Sequence, residues 1–267
     1  MLSQLRLRNV RLMRLADVET AELLRVKGER STAEYCWTVT PFTPRFVFEA
    51  DATVRRVTYL DADLWFRGAP APIFREFEHS GKQVLITDHA YAPEHDQTAT
   101  HGRYCVQFIT FTRNGGEPVR QWWQERCVEW CFARSENGKF GDQKYLDDWP
   151  QRFGDQVHVL RHVEWTRAPW NVTESPYEKA LFFHFHGLRL LAHDKVNLGG
   201  YPLSPELIEN VYAPYLACLA RAVGALRSLG FEPRLQQHNG LLLALKRLLF
   251  GTFARRRRFV LKSLTLS

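Results

Sequence analysis

Two acids one residue apart, Asp61 and Asp63, follow directly on Val57, Thr58, Tyr59 and Leu60, and apolar Leu64, Trp65 and Phe66 come next. Val57–Leu60 has strand character, and on extended backbone an i, i+2 pair projects to one face. Carboxylates at the end of a buried strand are costly unless a cation meets them. Two hard oxygen ligands there suit Mg²⁺ or Mn²⁺, with a substrate phosphate completing the shell. The carboxyl end of a strand is also where an open α/β sheet binds its ligands. A solvated surface pair is the bland alternative, since that is the usual fate of Asp.

Two further patches extend the chemistry. His184-Phe185-His186-Gly187 ends an apolar run, and an imidazole is an acceptable third ligand for Mn²⁺. Asp142 and Gln143 follow Gly141 in a polar loop. Short loop-borne polar groups can bind sugar hydroxyls or stabilise a cationic transition state from one face. Asp142 could equally cap the helix after it, and His184 and His186 could be hydrogen-bonded strand residues.

The elements that would hold these patches alternate between strand and helix along the chain. Residues 5–15 alternate well enough for a strand. Asp17 can cap a helix from about Val18 towards Gly28, and Ser31 or Thr32 opens another that Pro41 and Pro44 complicate. Ile73–His79 is a predicted helix and Gln83–Thr87 a predicted buried strand; His89–Arg103 is a long polar loop, and Tyr104–Phe111 a strand. The clearest helix, Glu117–Arg134, carries Val119, Trp122, Trp123, Cys127, Trp130 and Cys131 as one apolar stripe that would cover a sheet. Val157–Leu160 and Leu181–Leu188 are further strands, Ala168–Asn171 is a tight turn, and Ser204-Pro205 opens a helix running to Gly230. Strands interleaved with helices argue an α/β sheet, mostly parallel and flanked by helices.

The totals agree with such a chain. At 267 residues, one domain of about 200–250 residues with appendages is expected. Five cysteines without a CxxC pair read as reduced thiols in a cytoplasmic protein, with Cys127 and Cys131 packed in a core. No apolar run approaches a membrane span, and the N-terminus lacks a secretory h-region. The formal charge of +7 is concentrated at one end: residues 240–267 contain no acid and carry Lys246, Arg247, Arg255, Arg256, Arg257, Arg258 and Lys262. That basic amphipathic stretch, residues 241–262, reads as an anchor to an anionic membrane surface, with a solvated tail as the alternative. Nucleic acid is not expected as a partner, because no aromatics interleave with the basic run.

Tyr59-Leu60-Asp61-Ala62-Asp63, Gly141–Pro150, Ala168-Pro169-Trp170-Asn171 and His184–Gly187 occur in that order. In this the sequence resembles the bacterial nucleotide-sugar glycosyltransferases of GT-A fold, near the retaining family 8 group that includes glycogenin and lipopolysaccharide galactosyltransferases. The resemblance covers roughly residues 8–190. It implies that Asp61, Asp63 and His184 bind a metal, Mn²⁺ or Mg²⁺, and that Asp142 and Gln143 lie beside the donor sugar and the reacting carbon. Lys27, Arg30, Asp61, Ala62, Asp63 and Gly187 would contact the donor, a nucleoside-diphosphate sugar and foremost a UDP-sugar. The acceptor would be a glycan or a lipid-linked glycan, and the protein would be cytoplasmic or peripheral at the inner face of a membrane. The expected division is a GT-A-like domain over residues 1–200, with C-terminal helices and a basic tail over 201–267.

Three departures from the family pattern support a second reading, a truncated, catalytically inactive relative serving as a membrane-associated binding or scaffold protein. The family's first strand and helix are missing ahead of Asn9–Leu12. Cys105 stands where the family carries Asn. His162–Arg167 replaces a small, glycine-rich stretch with bulk.

Overall fold

The structure is a computed structural model that describes residues 7–173, 176–191 and 195–232, with the backbone of 258–260. Its contacts divide the chain into two compact units, Met13–His184 and Met1–Leu12 with Phe185–Ser267.

In the first unit, α1 (Ala21–Lys27), α2 (Thr32–Val39) and α3 (Thr43–Ala50) lead into β1 (Arg56–Leu60) and β2 (Leu64–Phe66). Then follow α4 (Ala71–Ser80), β3 (Val84–Asp88), α5 (Thr98–His101), β4 (Tyr104–Thr112), α6 (Glu117–Glu129), α7 (Trp149–Arg152), β5 (Val157–Val159), β6 (Thr166–Arg167) and β7 (Phe182–His184). The α/β class expected from the sequence holds. The sheet is mixed, however, and not mostly parallel. Its order is β1-β4-β3-β5, and β4 pairs antiparallel with both β1 and β3, leaving β3–β5 as the parallel pair. Strand β4 is buried from Tyr104 to Phe111, so burial on both faces suits it to the middle of the sheet.

Apolar side chains cover both faces of that sheet. On one, Val119, Trp123 and Cys127 of α6 pack with Trp149 against Val84, Ile86, Ile109 and Phe111. On the other, Ile73 and Phe77 of α4 meet Leu85, Phe108 and Phe182. Each large side chain so buried contributes about 1.5–3 kcal/mol relative to exposure. The expected burial of Cys127 and Cys131 is found, with both fully buried and unpaired as disulfides.

Local signals place most helix starts. Ser31 forms a capping box with Glu34. Thr20, not Asp17, caps α1, accepting from Leu23 N at 3.4 Å, while Asp17 is ion-paired with Arg14. Residues 7–14 form no strand, and Leu15–Asp17 is a single 3₁₀ turn. An alternating pattern alone does not hold a strand without a neighbour to complete its hydrogen bonds. The α6 helix stops at Glu129, five residues short of the predicted Arg134. Beyond it the backbone is engaged elsewhere: Tyr145 Oη donates to Trp130 O at 2.8 Å, and Ala133 N donates to Glu34 Oε1 at 2.8 Å.

A second, small sheet of order β2-β7-β6 belongs to the same unit. Strand β2 pairs antiparallel with β7 and sets Leu64 opposite His184. This register brings Asp63, just before β2, beside the end of β7.

In the second unit, β8 (Arg189–Leu191), β9 (Lys195–Asn197) and β10 (Arg258–Val260) form an antiparallel sheet of order β10-β9-β8. Helix α8 (Pro205–Leu207) opens on the expected Ser204 cap, continues through a π-helical turn over Ile208–Tyr212, and passes into α9 (Ala213–Ser228). Phe185 stacks on Tyr215 with ring centroids 3.7 Å apart. Apart from β10, the basic stretch 241–262 lies outside the described residues. Among the described residues no helix is long and apolar enough to cross a membrane.

Candidate metal centre

Strand β1 ends at Leu60, and Asp61 N still donates to Gln107 O of β4 at 3.0 Å, so the first acid is held at the sheet's end. The chain turns at once, with Leu64 N donating to Asp61 O at 3.4 Å, and Asp63 is carried over towards β7. One ligand atom from each of Asp61, Asp63 and His184 lies within 4.8 Å of the others. His184 Nε2 is 3.0 Å from Asp63 Oδ1 and 3.8 Å from Asp61 Oδ2. His184 is buried, while the Asp63 side chain is 41% exposed, so the cluster opens to solvent on the acid side.

The second nitrogen of His184 decides what the first can do. Nδ1 lies 2.8 Å from Gln107 Oε1, an acceptor, so it carries a proton there. In the neutral ring, Nε2 then presents a lone pair to two carboxylates. Three acceptors facing one another call for a positive charge between them. A neutral imidazole fixed by an outer hydrogen bond is the usual form of a metal-ligating histidine. Two carboxylate oxygens and one imidazole nitrogen fit Mn²⁺ better than Mg²⁺, which favours all-oxygen shells.

Other groups fix this cluster in place. Tyr59 Oη donates to Asp61 Oδ1 at 2.9 Å. Burial pushes the Asp61 carboxyl above its ordinary value, while His184 and Tyr59 draw it back. Trp170 packs edge-on to His184 at 5.2 Å, and its Nε1 donates to His89 O at 2.9 Å. Asn171 bonds the same carbonyl at 2.8 Å, which ties the Ala168–Asn171 turn to the segment after β3. Cys105, flagged as a departure, lies close enough to feel Asp61: burial first, and then that acid, push its thiol well up.

Asp142 is buried, and burial together with Asp61 nearby pushes its carboxyl up to about 7 against hydrogen bonds that include one from Thr40. Its position depends on Gly141, whose φ is +51° and where a Cβ would stand 3.3 Å from the Trp37 ring. Trp123 Nε1 donates to Asp142 O at 2.7 Å. Asp142 therefore lies near enough to Asp61 to be shifted by its charge. Gln143 is directed elsewhere, its Nε2 donating to His101 O at 2.9 Å.

Of the remaining sequence-predicted residues, Lys27 and Arg30 have partners of their own. Lys27 is ion-paired with Glu19 at 2.5 Å. Arg30 is buried, donates to Val128 O at 3.3 Å and lies over the Phe132 ring. Ala62 is exposed at the tip of the Asp61–Asp63 turn. Gly187 belongs to the second unit and takes the left-handed conformation, φ +79°, beside Gly199. Sequence reasoning missed Gln107 and Tyr59 as groups that orient the ligands. A polar residue inside an otherwise apolar strand was the available signal for Gln107, which is 2% exposed.

Fold and site together define a class: an α/β chain with a carboxylate–carboxylate–imidazole cluster at a strand end that could hold a divalent cation. The chain belongs to the family of the uncharacterized protein YfnD of Bacillus subtilis (strain 168), to which it is 30% identical over 244 residues, 82% of this chain and 75% of that protein. The uncharacterized protein YfnF of the same organism is 29% identical over 214 residues, 73% of this chain and 70% of its own length. No protein-family model matches the chain. Among solved structures it is similar to apo mouse xyloside xylosyltransferase 1 at 14% identity and a TM-score of 0.36, over 57% of this chain and 63% of that one. It is also similar to a glycosyltransferase involved in glycosylation of the major capsid of PBCV-1, at 13% identity and a TM-score of 0.39, over 64% of this chain and 73% of that one.

Proposed function

We propose that the chain is a metal-dependent glycosyltransferase of the GT-A type, moving a sugar from a nucleoside-diphosphate donor, foremost a UDP-sugar, to a glycan or lipid-linked acceptor. The observation that carries this reading is the convergence of Asp61, Asp63 and His184 with the imidazole Nδ1 bonded by Gln107. The four ordered motifs support the same reading.

Asp61, Asp63 and His184 would hold Mn²⁺, or Mg²⁺. When bound, that cation supplies charge neutralisation to a departing diphosphate. The protein's own groups do the rest. Tyr59 and Gln107 keep two ligands in fixed orientations, which limits reorganisation on donor binding. Asp142, whose carboxyl is shifted to about 7, would offer a hydrogen bond to the donor sugar in either protonation state. Gln143, bonded to His101 O, would hold the loop around α5 over the donor. Lys27, Arg30 and Ala62 would add donor contacts, Lys27 and Arg30 by exchanging their present partners. The reaction would proceed with retention, without a carboxylate nucleophile. Residues 1–200 would form the catalytic domain, and the basic stretch 241–262 would meet an anionic membrane surface on the cytoplasmic side.

Calorimetry of UDP with and without Mn²⁺ tests the reading. Binding should require the metal and disappear in Asp61→Ala and Asp63→Ala. Absence of binding in both conditions, with the chain folded, would overturn it.

A further inference from the structure

Strand β1 ends one side of the main sheet and pairs with β4 alone. Asp61 N donates to Gln107 O, and Arg113 N to Arg55 O. In an antiparallel ladder such bonded pairs recur every second residue, so Arg55, Val57, Tyr59 and Asp61 turn their backbone groups towards β4. Arg56, Thr58 and Leu60 therefore turn theirs outward. Among the described residues, nothing meets those N–H and C=O groups.

A bare edge of this kind is a template for another strand unless something blunts it. Strand β1 contains no Pro and no Gly, and its register with β4 runs without a bulge. Its charged residue, Arg56, is held back by Glu78 at 2.8 Å and lies over the Phe74 ring. Leu60, at the end of the strand, is 41% exposed. The opposite edge of the sheet is protected: β5 is 3 residues long, and Val157 N is already bonded to Phe153 O.

The occupant that fits this edge is the same edge of a second copy. The outward groups of Arg56, Thr58 and Leu60 are symmetric about Thr58. A two-fold axis there sets Thr58 against its own counterpart and Arg56 against Leu60 of the second copy, with about six hydrogen bonds across the join. The same register sets Arg55 opposite Asp61 of the second copy, and opposed residues of paired strands share a face. Arg55 is exposed, and among the described residues its guanidinium has neither an ion pair nor a hydrogen bond. An unrelated strand would have to bring an acid and a base at this spacing, whereas the chain's own edge carries both. We infer that β1 is a dimerisation edge, which joins two copies antiparallel into one continuous sheet and sets Arg55 of each opposite Asp61 of the other. The inference concerns assembly and goes beyond the proposed transfer reaction.

Sedimentation equilibrium of the full chain tests it, in EDTA and without nucleotide so that donor binding stays out of the readout. Dimers should form at micromolar concentration and weaken as salt rises, because Arg55 and Asp61 meet near the surface. Thr58→Pro removes an N–H that β4 does not use and puts a ring on the edge, so dimerisation should weaken about tenfold or more. Leu60→Lys sets a second cation opposite Arg56 and should act alike. That position is exposed, so this variant should fold even if Thr58→Pro does not. Arg55→Glu sets two acids opposite each other and should weaken the dimer as well. A chain that stays monomeric at about 100 µM would overturn the inference. So would a dimer that withstands Leu60→Lys, which would have to form through another face, or one that withstands Arg55→Glu, which would exclude the register with Asp61.

Discussion

His184 Nε2 stands 3.0 Å from Asp63 Oδ1, and its opposite nitrogen is 2.8 Å from Gln107 Oε1. A single imidazole thus links the acid that follows β1 to a buried amide in β4. Removing either end should loosen the site in a different way. Asp63→Ala deletes a ligand, and Mn²⁺ affinity should fall by more than the 10–100-fold typical of losing an outer hydrogen bond. Asp61→Ala should behave alike, because its Oδ2 lies 3.8 Å from the same nitrogen. Titration of Mn²⁺ by electron paramagnetic resonance reads the effect, and unchanged affinity in both variants would refute the assignment.

Gln107→Leu keeps the volume and removes the acceptor. The imidazole would lose its fixed tautomer, and Mn²⁺ should bind about 10–100-fold more weakly with all three ligands present. Near-native affinity would show that Gln107 serves the core alone.

The metal-free chain should lose stability as pH rises towards neutrality, and Asp142 is one cause. Its carboxyl sits at about 7 in the folded chain against an ordinary value of 3.8. Between those values the folded chain retains a proton that the unfolded chain has released. Each step up in pH across that window therefore favours unfolding. Melting curves in EDTA at pH 5 and pH 8 should show the higher midpoint at pH 5, and Asp142→Asn should reduce the difference. An unchanged pH dependence in that variant would contradict the shift.

Gly141→Ala should destabilise the chain by about 1–3 kcal/mol, because φ +51° is strained for a residue with a Cβ and the Trp37 ring lies 3.3 Å from the new carbon. Urea unfolding measures the loss. Nucleotide binding should weaken as well, since Asp142 is the next residue.

Much of the site was legible in the chain because its signals are local. Asp61 and Asp63 follow directly on a run of strand character, and His184 ends another. Ser31 with Glu34, and Ser204 with Pro205, cap helices through contacts three residues long. What local pattern could not decide was which strands become neighbours. The insertion of antiparallel β4 between β1 and β3 depends on pairings such as Tyr59 with Ile109, fifty residues apart, whose closure no short window encodes. The same insertion puts Gln107 under His184, 77 positions along the chain, and so turns a lone polar residue in an apolar strand into the group that orients a ligand. Residues 7–14 failed as a strand, and α6 ended at Glu129, for the converse reason. Both patterns were locally adequate, but backbone hydrogen bonds form where tertiary partners are, and there the partners were absent or lay elsewhere.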